Sequence, residues 1–329
     1  MMRALAAAAA LLAAACAPTH GGGSASEQWQ AIHVAVSPVD AGVERVGQLA
    51  WRGGVELRAR SPMFVGLSGL EVLDDGRVIA ITDEADWITG DLVLDERGFL
   101  TGFTNVRAAL MRDEHGEVFT SKSEGDSEGL AQLADGRVAV SFERTDLIRI
   151  YDFNRDGPFG QAAMGPRLDE VEDLPGNSSI EALAAMDNAL IVGAEGGDRA
   201  TTPIWLAPLE ARTPVPPRFT YPVSEGFSLT GMDRLPDGSF VALERFYAPV
   251  IGPRARITRF AAPSGERGAI EPELLALLEA PFPVDNFEGI SAVRMPNGAT
   301  RIYIVSDNNN SRQQRTLLLA FDLADAPED

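Results

Sequence analysis

Cysteine is almost absent from this chain: of 329 residues only Cys16 carries a thiol. The folded part therefore holds no disulfide, no cysteine nucleophile and no cysteine-based zinc site. Histidine is nearly as scarce, with His20, His33 and His115 the full set. A Ser-His-Asp hydrolase needs a histidine base and a nucleophile elbow. His115 sits in the polar turn Arg112-Asp113-Glu114-His115-Gly116, and Gly66-Leu67-Ser68-Gly69 lacks the glycine spacing of that elbow. No Walker-type or Rossmann-type glycine loop occurs, and no Arg-His-Gly phosphatase signature. Lysine is represented by Lys122 alone, and the remaining basic residues are arginines.

What the chain has instead is acid. Asp and Glu number 48 against 28 Lys and Arg, for a formal net charge of -20. Such a surface repels nucleic acid and anionic lipid and attracts cations. Apart from the N-terminus, no hydrophobic run approaches the length of a membrane span. Residues 1–16 read MMRALAAAAALLAAAC: Arg3 is a short basic region, Ala4 to Leu12 an apolar stretch, and small residues follow. This is the pattern of an export signal. Ala13-Ala14-Ala15-Cys16 resembles a lipobox, so residues 1–15 are expected to be a signal peptide and Cys16 a lipidated N-terminus. Residues 16–30, with Gly21-Gly22-Gly23-Ser24-Ala25-Ser26, form a flexible tether, and residues 31–329 a single domain. The expected location is the periplasm, with the lipid as sole contact to the membrane. Ala17 after the cysteine, where aspartate would favour the inner membrane, points to the outer one.

A repeat runs through the rest: a polar residue, a small one, an apolar strand, a turn, a second apolar strand, then an acid. It reads Ser68-Gly69-Leu70, Asp75-Gly76, then Asp83. The second copy is Glu128-Gly129-Leu130, Asp135-Gly136, then Glu143. Glu181-Ala182-Leu183, Asp187-Asn188 and Glu195 follow, then Thr230-Gly231-Met232, Asp237-Gly238 and Glu244. The last is Glu288-Gly289-Ile290, Asn297-Gly298 and Asp307. Asp-Gly and Asn-Gly between apolar runs mark hairpins. Copies roughly fifty to sixty residues apart leave room for four short strands each, the length of a propeller blade. The reading is an all-β chain, a β-propeller of six blades with five as the alternative. Strands near Gln48-Leu49-Ala50-Trp51 and Val55-Glu56-Leu57 are expected to pair with Leu317 to Phe321 and close the ring. Glu271 to Leu278 is the one helix-like stretch, and Thr213-Pro214-Val215-Pro216-Pro217 reads as a loop between blades.

These motifs carry a resemblance. Ser68-Gly69-Leu70 with Asp83, Leu243-Glu244-Arg245 with Arg256-Ile257, and above all Phe287-Glu288-Gly289-Ile290 with Ser306-Asp307-Asn308-Asn309 and Gln314-Arg315-Thr316 stand in one order. That ordered set is similar to the phytase-like ("esterase-like activity of phytase") family, over about residues 45 to 323. The resemblance implies an exported propeller, and says more of fold than of chemistry.

A hairpin returns the chain to its starting face, so the acids at both ends of each repeat should gather at one mouth of the channel. Asp83, Glu128, Glu143, Glu181, Glu195, Glu244, Glu288 and Asp307 form the expected ring. Crowded carboxylates need a counter-charge. Calcium, which takes six to eight oxygens, suits Glu128, Glu181, Glu288, Asp307 and Asn308. Glu128 or Glu288 would serve as general base, with Arg245, Arg256 or Arg312 holding an anionic group. The expected activity is hydrolysis of phosphate or carboxylic esters, with a small anionic or metal-bound ester as partner and no nucleic acid. A non-catalytic binding or scaffold propeller and a calcium-dependent sugar-lactone hydrolase are the alternatives. The same acids can also serve the fold, by accepting hydrogen bonds from a neighbouring blade's backbone.

Overall fold

The computed structural model describes residues 29–174, 179–196 and 199–323. The expected leader, Cys16 and all but the last residues of the tether lie outside them. The turn glycines explain the local structure. Gly76, Gly136, Gly238 and Gly298 take φ values of 82°, 84°, 88° and 89°, a region open to glycine without strain, and each turns one apolar strand back upon the next.

The chain opens with β1 (Gln30–Ala31), β2 (Val34–Pro38), β3 (Arg45–Val46) and β4 (Leu49–Ala59). The first blade is β5 (Leu67–Val72), β6 (Arg77–Thr82), β7 (Asp86–Leu94) and β8 (Leu100–Leu110). The second is β9 (Ser127–Gln132), β10 (Val138–Phe142), β11 (Leu147–Tyr151) and β12 (Ala163–Met164). The third is β13 (Ile180–Met186), β14 (Ala189–Ala194), β15 (Thr201–Pro208) and β16 (Phe219–Pro222). The fourth holds β17 (Phe227–Arg234), β18 (Phe240–Ala248) and β19 (Gly252–Phe260). After β20 (Gly268–Ala269), which steps aside onto β16, β21 (Glu273–Leu278) completes it. The fifth runs β22 (Asn286–Arg294), β23 (Thr300–Asp307) and β24 (Thr316–Leu323), and is completed by β4.

The described residues thus form five blades, the alternative count, and not six. The N-terminal strands build no blade of their own. β4 pairs antiparallel with β24, Val55 opposite Leu318 and Trp51 opposite Phe321, so the two ends of the chain share one sheet and close the ring as expected. β2 lies along β4, and β1 along β8, so the entering chain straps the fifth blade to the first. Five apolar clusters fill the five gaps between blades, each drawn from two neighbours; Trp87 and Tyr151, for example, share the gap between the first and second. Strands such as β5, β10 and β23 are buried on both faces, which is why their sequences are nearly continuous apolar runs.

Two segments differ from their sequence-based expectation. Glu271 to Leu278 is not helical: β21 pairs with β19, Ala255 opposite Leu278, and burial of Leu275, Ala276 and Leu278 outweighs the helix preference of Leu, Ala and Glu. The proline-rich segment lies within the third blade, where Val215 is buried and bridges Leu168. Among the described residues no helix is long and apolar enough to cross a membrane.

Candidate functional site: a carboxylate ring at one channel mouth

Every innermost strand carries a β-bulge at its repeat motif. The register slips at Ser68 in β5, Glu128 in β9, Glu181 in β13, Thr230 in β17 and Glu288 in β22. A bulge re-aims the side chain it displaces, and here it presents these five residues around the axis. The small residue that follows lets the inner strands approach. A Cβ on Gly129 would stand 2.5 Å from the Glu181 carbonyl oxygen, and one on Gly231 would stand 2.7 Å from that of Glu288. The axial cavity they enclose is about 10 Å³, the space of one water or ion. Glu128, Glu181 and Glu288 line it together, as expected.

A second ring lies just outside. Pairing sets Leu67 opposite Thr82, Ser127 opposite Phe142, Ile180 opposite Ala194, Leu229 opposite Glu244 and Phe287 opposite Ser306. The residues one step on are Asp83, Glu143, Glu195, Arg245 and Asp307. The fourth blade thus offers an arginine where the others offer acids. Glu244, expected in the ring, is instead buried in the blade interior. It accepts a hydrogen bond from the Tyr221 hydroxyl at 2.8 Å and pairs with Arg256 at 2.9 Å. Arg256 is thereby spent on Glu244 and Ser224 rather than left for a ligand. Arg312 is exposed in the turn between β23 and β24. Asn308 is a turn residue: its amide nitrogen donates to Thr316 Oγ1 at 3.0 Å, and its amide oxygen accepts from the Asn310 N–H at 3.0 Å. Asn309 and Asn310 have φ values of 47° and 48°, the left-handed geometry asparagine tolerates. His115 is exposed in its turn.

One member of the site escaped the sequence reading. Asp126, 1% exposed, precedes β9. Its carboxylate pairs with Lys122, which also grips Asp83, and with Arg144 at 2.7 Å. One carboxylate oxygen each of Asp126, Glu128 and Glu143 lies within 4.8 Å of the others, a group that could hold a metal ion. Arg245 faces Glu195 at 3.0 Å and Asn286 at 3.1 Å, with Glu288 at 3.9 Å. Eight carboxylates, from Asp83, Asp126, Glu128, Glu143, Glu181, Glu195, Glu288 and Asp307, therefore meet three cationic side chains, Lys122, Arg144 and Arg245, among the described residues.

The electrostatics record the imbalance. Burial, then the charges of Glu288 and Glu181, hold the Glu128 carboxyl well above the usual range, although part of its surface stays open. Glu181 is 8% exposed and is raised by burial and then Glu195; among the described residues no hydrogen bond or ion pair engages it. Glu288 rises to about 8 through burial and Asp307, against Arg245 and its hydrogen bond from Asn286. Glu143 rises to about 7 through burial and Asp126. Asp307 rises to about 6, mainly by burial. Burial works to lower the Arg245 pKa, but Glu181, Glu288 and Glu195 hold it above its ordinary value.

Acids at the opposite mouth behave differently. Glu71 accepts from the Gln132 N–H at 2.7 Å, and Asp233 from the Ala292 N–H at 2.6 Å. Each stitches its blade to the next. The carboxyls of Glu128 and Glu181 have no such bond to the backbone among the described residues, so the stitching role does not account for them. The donor set of the ring, all hard oxygen and short of cations, fits a hard divalent cation. Such an ion would compete with Lys122 and Arg144 for Asp126, while Glu128 and Glu143 lie outside ion-pair distance of any cationic side chain described.

Ring and mouth together define a five-bladed propeller with an acidic channel mouth. The chain belongs to the phytase-like family, described as "Phytase-like: Esterase-like activity of phytase", which it matches over residues 62–310. No curated protein matches its sequence. Among solved structures it is similar to an α-L-arabinofuranosidase of Podospora anserina in complex with cellotriose: 11% identity, TM-score 0.50, covering 84% of this chain and 97% of that one. It is also similar to the PQQ-bound aldose sugar dehydrogenase of Streptomyces coelicolor, at 15% identity, TM-score 0.40 and coverage of 88% and 98%. A virginiamycin B lyase of Staphylococcus aureus aligns at 13% identity, TM-score 0.37 and coverage of 84% and 87%. At such identities the likeness concerns the fold.

Proposed function

We propose that this protein is a periplasmic, lipid-anchored hydrolase of phosphate or carboxylic esters that works with a divalent cation, calcium first, at the carboxylate mouth. The carrying observation is the under-compensated cluster: among the described residues Glu128, Glu143 and Glu181 converge with no ion pair to a cationic side chain, two of them on one metal-sized group of oxygens. A hard cation held there would supply Lewis-acid polarisation of an ester oxygen. The chain's own groups do the rest. Glu288, with a pKa of about 8, can take and return a proton near neutral pH, and burial and neighbouring acids hold the Glu128 carboxyl well above its usual range beside it. Arg245 faces the same mouth and orients an anionic group. The narrow axial cavity keeps the substrate at the mouth instead of letting it pass through.

The test is a panel of phosphate and carboxylic esters assayed with calcium and with chelator. Calcium-dependent turnover that is lost in Glu128→Gln supports the reading. A protein that binds calcium yet turns over nothing would be a binding or scaffold propeller instead. The anchor rests on Ala13-Ala14-Ala15-Cys16. Cys16→Ser should release the protein from the membrane fraction, and a wild type already soluble would refute it.

A further inference from the structure

The second strands of four blades stop at or within a residue of the ring level. β18 alone runs on past Arg245, through Phe246, Tyr247 and Ala248, and returns as β19 from Gly252. The extra hairpin rises from the carboxylate face. Its base is fixed: Phe246 pairs with Arg254 and Tyr247 with Pro253 in register, and the Phe246 ring packs 5.3 Å from that of Phe227. Arg254 lies over Phe246 and pairs with Glu279 at 3.0 Å.

The tip is the reverse of its base. Tyr247 is 71% exposed, Ile251 54%, and Val250 wholly so. Among the described residues the other large exposed apolar side chains, such as Val43, Val93, Met164 and Leu274, are scattered singly. Only here do three fall within five residues, and single exposed residues need no explanation where such a patch does. Val250 also has φ +76°, a conformation costly for a β-branched residue that glycine would adopt freely. Strand alternation gives the direction. Glu244 and Phe246 face the third-blade side, where Tyr221 and Phe227 meet them. Arg245 and Tyr247 alternate onto the other face of the strand, from which the Arg245 guanidinium reaches across the mouth to both Glu195 and Asn286, with Tyr247 about 7 Å further along.

Resting on the ester-hydrolase reading, we propose that this hairpin is the arm that receives the apolar group of the substrate, the acyl, alkyl or aryl part of an ester whose anionic end lies at Arg245 and the carboxylate mouth. The continuity of apolar tip and charged mouth on one strand selects a ligand with both characters. A bilayer rich in anionic lipid would meet a net charge of -20 and be repelled.

The test uses alkylphosphonates, which cannot be hydrolysed as esters, so binding is read apart from turnover. Methyl-, butyl- and hexylphosphonate are titrated into the full chain in calcium. Affinity should rise roughly twofold per methylene, about half the gain of full burial. In the triple variant Tyr247→Ser, Val250→Gly, Ile251→Ser that rise should vanish while methylphosphonate binds as before. Glycine suits the turn at 250, so the variant keeps its fold, and an unchanged melting curve checks this. Chain-length-dependent binding without hydrolysis of any ester would uphold the arm and refute the hydrolase. Equal affinity across the series, or a rise that the variant retains, overturns the arm and leaves the polar site standing. Absence of binding by every member overturns it as well. So does loss, in the variant, of binding to phosphatidylcholine vesicles or of self-association in sedimentation, since either would assign the tip to a lipid surface or to a second copy.

Discussion

Among single residues, the acids divide into those that are satisfied and those that are not. Glu244, wholly buried, is held by Tyr221 and Arg256. Removing one partner of a buried pair strands the other, so Glu244→Ala should cost about 3 kcal/mol in denaturant unfolding, with the calcium response unchanged. Glu181 is the opposite case, buried and with no hydrogen bond or ion pair among the described residues. Calcium at a hundredfold excess over its dissociation constant should stabilise the wild type by about 2.7 kcal/mol. Glu181→Gln should lose most of that gain. The exposed control Glu266→Gln should keep it; equal responses in the two variants would show that the ring has no special claim on the ion. The distinction between Glu244 and its neighbours was available in the sequence as spacing. Gly69 to Asp83, Gly129 to Glu143 and Gly231 to Arg245 each span fourteen positions. Glu244, one position before Arg245, falls out of that register although it is the acid nearest to it. Asp126 carried no such signal, because its counterparts at the other strand entrances, Ser179, Ser228 and Asn286 among them, share no chemistry with it.

At the scale of elements, the hairpins and their order were legible because the turn glycines and the two-sided burial of the strands both leave marks in sequence. The closure by β4 and β24 was legible for the same reason. Blade number was less so. Four strands per sheet is a property of the ring, and the leading strands, read alone, suit a sixth blade as well as a share of the fifth. β21 shows the limit of local preference, since only its partner β19 makes it a strand. The axial contacts supply a test at this scale. A methyl at Gly129 has no room beside the Glu181 carbonyl oxygen, so Gly129→Ala should cost about 1–3 kcal/mol as overpacking. The same change at exposed Gly265, which has open space around it but φ +87°, should cost only its backbone strain. If unfolding of Gly129→Ala matches the wild type, the inner strands are not packed as closely as described.

At the scale of the whole molecule, the raised carboxyl pKa values fix the pH dependence. A carboxyl whose pKa is higher in the folded state keeps its proton there after the unfolded chain has lost its own. Between the ordinary glutamate range near 4.5 and the values of about 7 for Glu143 and 8 for Glu288, the folded state binds more protons. Stability of the cation-free protein should therefore fall as pH rises through that window, by up to about 1.4 kcal/mol per pH unit for each such group. Calcium should flatten the fall, and a metal-free stability that climbs from pH 5 to 8 would contradict the electrostatics of the ring.

Calorimetric titration of calcium into the chelator-stripped protein at pH 7 asks whether this ring is a divalent-cation site. A divalent-cation site should give saturable binding with protons released, seen as a heat that changes with the ionisation enthalpy of the buffer, and greatly weakened in Glu128→Gln. No binding heat in any buffer, together with a melting curve indifferent to calcium, would contradict it.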